Sequence, residues 1–334
     1  MKKLTAICMA LVMTAALAGC GGKDSQSGAG TSGSGSTDNS EKTYTVGICQ
    51  LVQHEALDAA TEGFKAALTE KLGDRVKFDE QNASGDSATC ATIANQFVSS
   101  GVDLILANAT ASLQAAAAAT NKIPILGTSI TDYATALQLS DWTGVTGSNI
   151  SGTSDLAPLD QQADMLHELF PDAKNVGLLY CSAEPNSEFQ VKVVSEALEG
   201  YGYTCKPYTF ADSNDIAAVA TTAASECDVI YIPTDNSAAS ATEVINNICL
   251  PAGVPIIAGE EGICSGCGVA TLSISYYSIG YKAGEMAYEI LVNGADVSTM
   301  PIEYAVDFQK KYNATNCEAL NITVPEGYVA IGSN

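Results

Sequence analysis

Four apolar residues in a row, Val229, Ile230, Tyr231 and Ile232, run into Pro233-Thr234-Asp235-Asn236 and then into an alanine-rich stretch. This pattern predicts a buried strand that opens through a polar turn into a helix. The same succession stands earlier, where Val102-Asp103-Leu104-Ile105-Leu106 leads through Ala107-Asn108-Ala109-Thr110 to a second alanine-rich run. The flanks repeat too: Val46-Gly47-Ile48-Cys49 answers to Val176-Gly177-Leu178-Leu179, and Ile123-Pro124-Ile125-Leu126 to Val254-Pro255-Ile256-Ile257. The offsets are all about 130 residues, which predicts two similar α/β halves, each with a parallel sheet of buried strands.

Taken in order, strands are expected at 44–50, 76–81, 102–107 and 123–126, with a short edge strand at 143–148. Helices are expected from the Leu57, Phe64, Ala67, Leu68 stripe and over 87–99. The polar, glycine-bearing segment Asn149 to Asp155 marks a first crossing between lobes, near 151. The second half then reads as helix 156–170, strand 175–180, helix 188–200, strand 203–210, helix 215–225, and strands at 229–232, 254–258 and 269–273. A helix over 277–292 returns to the first lobe, and 302–308 crosses back. The predicted fold is α/β: two Rossmann-like lobes with parallel sheets joined by a three-strand hinge. The first lobe takes residues 43–151 with 275–300, the second 152–274 with 301–334. Three crossings permit rotation of one lobe against the other without unfolding either core.

Composition adds an amino-terminal address. Met1-Lys2-Lys3 is a positive start, Leu4 to Leu17 is apolar but too short to span a bilayer, and Leu17-Ala18-Gly19-Cys20 closes the run. That tetrapeptide resembles the bacterial lipoprotein signal, which implies removal of residues 1–19 and a lipid on Cys20 at the outer face of the cell membrane. Residues 20–42, rich in Gly, Ser and Thr, form a flexible tether. Within it Gly28-Ala29-Gly30-Thr31-Ser32-Gly33 matches a dinucleotide fingerprint, but no strand precedes it and no helix follows, so it is set aside. With 334 residues and 46% apolar content, the remainder is long enough for two ordinary cores.

A formal charge of -23 repels nucleic acid and anionic headgroups and excludes a nucleic-acid partner. It also serves as a simple solubility device. Of the eleven cysteines, all but Cys8 and Cys20 follow the signal, many in apolar strands, where a free thiol acts as a small hydrophobe. This points to a reducing habitat rather than a disulfide framework. Cys264 and Cys267 form one CxxC, a local disulfide or two free thiols. With no second CxxC and with His54 and His167 remote in sequence, no metal site or cofactor is expected.

Polar side chains at the carboxyl ends of such strands face the crevice of an open α/β sheet. There stand Gln50 with His54, Asn108 to Thr110, Thr128 to Asp132, Glu184 to Ser187, Asp235 with Asn236, and Glu260. Together with Gln81-Asn82, Tyr180 and Ser275-Tyr276-Tyr277-Ser278-Ile279-Gly280, these resemble the substrate-binding lipoproteins of ABC importers that carry tryptophan or tyrosine. The resemblance covers nearly all of 43–330. It implies the type I periplasmic-binding fold, a monomer, delivery of an amino acid (Trp, Tyr or Phe) to a permease with its ATPase, and no enzymatic activity. A zwitterion needs donors for its carboxylate and an acceptor for its ammonium. Thr110 and Ser112, at a helix start, are the carboxylate candidates, although Thr110 equally suits plain N-capping. Asp132 and Asp235, then Glu260, are the ammonium candidates, although an Asp after a strand is also a common helix cap. Asn186, Ser187 and Asn236 supply neutral hydrogen bonds from the second lobe. Gln50 and His54 frame the side chain or bond the carboxylate, Thr128 stands at the same crevice, and Tyr133, Tyr180 and Tyr276 are available for stacking.

No G-x-S-x-G, H-E-x-x-H or Walker loop is present, which speaks against an enzyme. The competing function is a sensory binding lipoprotein for another small polar solute, such as a sugar, a nucleoside or another amino acid.

Overall fold

The computed structural model describes residues 42–332; the signal peptide, Cys20 and nearly all of the tether fall outside the described residues. The first part of the chain alternates β1 (Tyr44–Gln50), α1 (Glu55–Leu72), β2 (Val76–Asn82), α2 (Ser87–Ser100), β3 (Leu104–Asn108), α3 (Thr110–Ala119), β4 (Ile125–Ile130), α4 (Tyr133–Leu137) and β5 (Ile150–Ser154). The second repeats the scheme. It runs α5 (Leu159–Leu169), β6 (Asn175–Cys181), α6 (Pro185–Gly200), β7 (Thr204–Phe210), α7 (Ile216–Glu226), β8 (Val229–Ile232), α8 (Asn236–Ala239), α9 (Thr242–Cys249), β9 (Ile256–Ala258), α10 (Glu261–Gly266) and β10 (Ala270–Ser273). Helix α11 (Tyr276–Leu291), β11 (Glu303–Tyr304), β12 (Gln309–Tyr312), α12 (Ala314–Ala319) and β13 (Val329–Ala330) complete it.

The first sheet has the order β11-β5-β4-β3-β1-β2 and the second β13-β12-β10-β9-β8-β6-β7. Setting aside the late strands, the two orders are identical, as the repeated motifs predict. All pairings in the first sheet are parallel; in the second only β10 with β12 is antiparallel. Parallel neighbours require crossover connections, and helices on both faces of each sheet supply them. The central strands β3, β8 and β9 are buried throughout, which is why their sequences are continuous apolar runs without alternation.

The chain passes between the sheets after β5, between β10 and α11, and between β11 and β12. No strand forms over 143–148. Gly144 and Gly147 adopt positive φ, and the Thr146 hydroxyl bonds the Ile150 carbonyl at 2.5 Å, so this stretch turns before the strand begins. Strand β5 thus extends in the first sheet to Ser154, beyond residue 151, and Glu303–Tyr304 pairs with it there.

Helix α1 buries Leu57, Ala60, Phe64, Ala67 and Leu68, the predicted stripe. It lies against α11 at unusually short range. A Cβ at Gly280 would stand 1.9 Å from the Ala60 carbonyl oxygen, and one at Gly63 would stand 2.1 Å from that of Tyr277. Two glycines, one on each helix, therefore let the backbones touch and fix the start of α11 over the carboxyl ends of the first sheet. Cys264 and Cys267 are both buried and unpaired. Among the described residues no helix is long and apolar enough to cross a membrane.

Candidate ligand-binding site

The carboxyl ends of the two sheets face one another across a small, tight cavity of about 10 Å³. His54, Leu57, Ser129, Thr131, Asp155 and Tyr276 line it from the first lobe. Asn186, Thr234, Asp235, Asn236, Ala239 and Glu260 line it from the second. In open α/β sheets this is where strand order reverses and where loops can converge on a ligand.

Each lining residue is held by a local device. Pairing of β4 with β5 shifts register between Gly127 and Ile130, and within that irregularity Ser129 adopts φ 56°. A left-handed, non-glycine residue is strained, and such strain collects where a side chain must be aimed. Asp155 follows β5, with its N–H donating to the Ile130 carbonyl. Its Oδ2 accepts the Tyr276 hydroxyl at 2.9 Å. Tyr276 opens α11, whose N-cap Ser275 accepts from the Ser278 N–H.

In the second lobe the carboxylates are also caps. Asp235 accepts from the N–H groups of Ala238 at 2.8 Å and Cys181 at 2.7 Å and from the Ser187 hydroxyl at 2.7 Å. Glu184 receives the backbone and side chains of both Asn236 and Ser237. Glu260 caps α10 through Gly262 and Ile263. Asn186 donates its amide to Glu184 and to the Thr234 carbonyl, so its amide oxygen is turned the other way.

Among the described residues, three buried atoms that belong to the cavity lining have no hydrogen-bond partner: Ser129 Oγ, Asp155 Oδ1 and Asn186 Oδ1. They come from both lobes. Two of them accept only, and the hydroxyl does either. Buried polar atoms without partners are rare and costly, and three in one cavity mark a place built for a donor.

The electrostatics agree. Asp155, Asp235 and Glu260 are all at most 4% exposed, with Glu184 close behind Asp235. Burial raises the Asp155 carboxyl above its ordinary range, against the hydroxyls of Tyr276 and Thr131. Burial pushes Glu260 up to about 7, against two backbone N–H groups. Asp235 is raised by burial and then by the Glu184 charge. A cation entering beside Asp155, Asp235 and Glu260 would favour the ionisation that burial holds back, so this wall suits a positively charged group. His54, whose basicity burial lowers, stays neutral and reaches across the cleft to Asn236 Oδ1 at 3.3 Å.

Of the residues singled out from sequence, His54, Asn186, Asp235, Asn236 and Glu260 converge on this cavity. Six others are engaged elsewhere. Gln50 donates to Asp58 and to the Val52 carbonyl and accepts from Thr61 beneath the site. Ser112 sits between the Cys49 and Cys90 thiols, and Thr110 is buried in the first turn of α3. Thr128 accepts from Thr153, Asp132 caps α4 through the Thr135 N–H, and Ser187 supports Asp235. Of the tyrosines, Tyr276 lines the cavity. Tyr133 stacks on Trp142 in the first core, and half-buried Tyr180 packs against the second. The sequence does not single out Asp155, and it marks Ser129 only as part of the run Thr128 to Asp132. An Asp directly after a buried strand is the signal that drew attention to Asp235, but the strand before Asp155 was expected seven residues too early at its start (143 rather than 150), which left Asp155 in the hinge.

The fold, two sheets of matching order with a cavity between their carboxyl ends, is that of a type I periplasmic binding protein. Residues 45–332 match the model of the ABC transporter substrate binding protein family, and the chain belongs to that family. It is 35% identical over 325 residues to a tyrosine-binding protein of Clostridioides difficile (strain R20291), covering 96% of this chain and 93% of the relative. Among solved structures it resembles an ABC domain in complex with L-Trp from Streptococcus pneumoniae. The two are 30% identical with a TM-score of 0.82, over 87% of this chain and 100% of the other. It also resembles the ligand-free, open structure of a substrate-binding protein with adhesive properties from Clostridium difficile, 36% identical with a TM-score of 0.66 over the same shares. The more similar sequence gives the poorer superposition. The lobes here are disposed as in the ligand-bound relative, in keeping with the hydrogen bond from His54 to Asn236 across the cleft.

Proposed function

We propose that this protein captures a free amino acid with an aromatic side chain (Trp, Tyr or Phe) between its lobes and hands it to an ABC permease with its ATPase. The observation that carries the amino-acid reading is the trio of unpartnered atoms, Ser129 Oγ, Asp155 Oδ1 and Asn186 Oδ1, in a cavity ringed by buried carboxylates. A primary ammonium brings three N–H donors and one positive charge, which matches that set in number and sign. The tyrosine- and tryptophan-binding relatives support the aromatic choice, as does Tyr276 beside the site. Leu17-Ala18-Gly19-Cys20 supports a tether by lipid on Cys20 to the outer face of the membrane, and the reading is of a monomer that binds its substrate rather than transforming it.

A thermal-shift screen of all the common amino acids tests this reading. Ligand at about 100 times its dissociation constant stabilises by about 2.7 kcal/mol, a shift of several degrees. Tryptophan, tyrosine and phenylalanine all leaving the transition unmoved would remove the aromatic assignment. Failure of every amino acid, with a shift from a sugar or nucleoside, would remove the ammonium reading as well.

A further inference from the structure

Away from the ligand cavity, the first lobe holds a pair of thiols that substrate binding does not use. Cys49 lies near the end of β1 and Cys90 in the first turn of α2, the helix that packs on that strand with Phe97 against Gly47. Both are fully buried. The Cys49 thiol donates to Ser112 Oγ at 3.6 Å, and Cys90 Sγ lies 3.5 Å from the same oxygen. Both sulfurs converge on one side-chain oxygen. One hydroxyl thus holds two sulfurs side by side, on elements separated by 41 residues of chain, in a protein whose other described cysteines are also unpaired.

We propose that Cys49 and Cys90 form an oxidisable dithiol that closes into a disulfide when the protein meets a peroxide, clamping the first turn of α2 to the end of β1. Cys90 is the residue attacked first. It sits at the amino-terminal end of a 14-residue helix, whose free N–H groups favour a thiolate. The neighbouring Cys49 thiol and the Ser112 hydroxyl lower the Cys90 thiol below its ordinary range, against burial and against the charge of the N-cap Asp86. Cys49 is correspondingly held protonated. The first turn of a helix frays more readily than its middle, and that fraying admits a small oxidant to Sγ.

The Cys90 thiolate attacks one oxygen of hydrogen peroxide, the O–O bond breaks, hydroxide leaves, and sulfenic acid remains on Cys90. Cys49 sulfur then attacks Cys90 sulfur. The S–O bond breaks, water leaves carrying the Cys49 proton, and the disulfide forms. Two thiols lose two electrons and two protons in all, and one peroxide becomes two waters.

The full chain, reduced and then freed of reductant, is treated with hydrogen peroxide at a temperature just below the onset of melting. It is alkylated under denaturing conditions and digested without reduction. The expected result is a cross-linked peptide pair containing Cys49 and Cys90, a loss of two alkylatable thiols, and a melting temperature raised by about 5–10 °C and restored by dithiothreitol. Cys90→Ala should show neither the link nor the rise. Should that variant not fold, Cys49→Ser serves in its place, and the peptide map of the unaltered protein needs no variant. Cys49 and Cys90 remaining alkylatable while other cysteines are consumed, or a melting rise that persists in Cys90→Ala, would overturn the proposal.

Discussion

The hydroxyl of Tyr276 donates to Asp155 Oδ2 at 2.9 Å, joining residues 121 positions apart in sequence at the mouth of the first sheet. The other carboxylate oxygen has no hydrogen-bond partner, and Asp155 is a residue of the cavity lining. Tyr276 is therefore a positioning group for Asp155 as well as part of the wall.

Asp155→Asn removes the charge and keeps the shape. Loss of a buried, charge-assisted bond to the ligand ammonium is expected to weaken amino-acid binding by about 2–4 kcal/mol, or roughly 30- to 1000-fold. The ligand-free melting temperature should hold or rise, because a buried carboxyl with a raised pKa is replaced by a neutral group. Titration calorimetry with the wild-type ligand, beside thermal melts of the free proteins, checks both. Unchanged affinity would remove Asp155 from the site.

Tyr276→Phe deletes only the hydroxyl. A hydrogen bond to a charged group is worth about 1.5–3 kcal/mol, and the aromatic wall stays, so a loss of binding of roughly 10- to 100-fold is expected. A variant in which Asp155→Asn and Tyr276→Phe are combined should lose less than the sum of the two, since both act on one carboxylate.

The pH dependence has a definite sign. The Glu260 carboxyl has an ordinary value of 4.5 and stands at about 7 in the closed fold, with Asp155 shifted in the same direction. The folded protein thus holds protons that the unfolded chain has released, so this contribution to stability is fullest below 4.5 and is lost as pH rises through 7. The ligand ammonium needs the ionised forms. Affinity should therefore increase from pH 5 to about 8, with protons released on binding near neutrality. Calorimetry in buffers of different ionisation enthalpy reads that release directly, and uptake of protons instead would contradict the assignment.

His54→Ala removes the hydrogen bond that reaches Asn236 in the opposite lobe. A neutral bond of this kind contributes about 1 kcal/mol, and it forms only on closure. The association rate should stay near the wild-type value while dissociation quickens by about fivefold, measured by stopped-flow fluorescence.

The repeat was readable because buried parallel strands are written in unbroken apolar runs, and β3 and β8 are two such runs in matching contexts. The cavity lining was most readable in the second lobe, where Asn186, Asp235 and Asn236 directly follow strands or open helices, while the first lobe yielded His54 and Tyr276. Across the cleft, the pattern could not tell a helix cap from a ligand contact. Asp132 and Asp235 obey one local rule, and Asp132 spends its carboxylate on Thr135 while Asp235 also faces the cavity. The position of Ser129 depends on a register shift between β4 and β5 and on a left-handed backbone, neither of which leaves a mark in a run of Gly127-Thr128-Ser129-Ile130.

The close seat of Gly280 on the Ala60 carbonyl makes α1 and α11 one stiff body, and that body carries Tyr276 at its tip. When the jaws part, Tyr276, Asp155 and Ser129 travel together with one jaw, while Asn186, Asp235 and Glu260 leave with the other. On the proposed reading, a bound ammonium would forfeit its second set of partners all at once, and cargo would be let go in a single stroke rather than bond by bond.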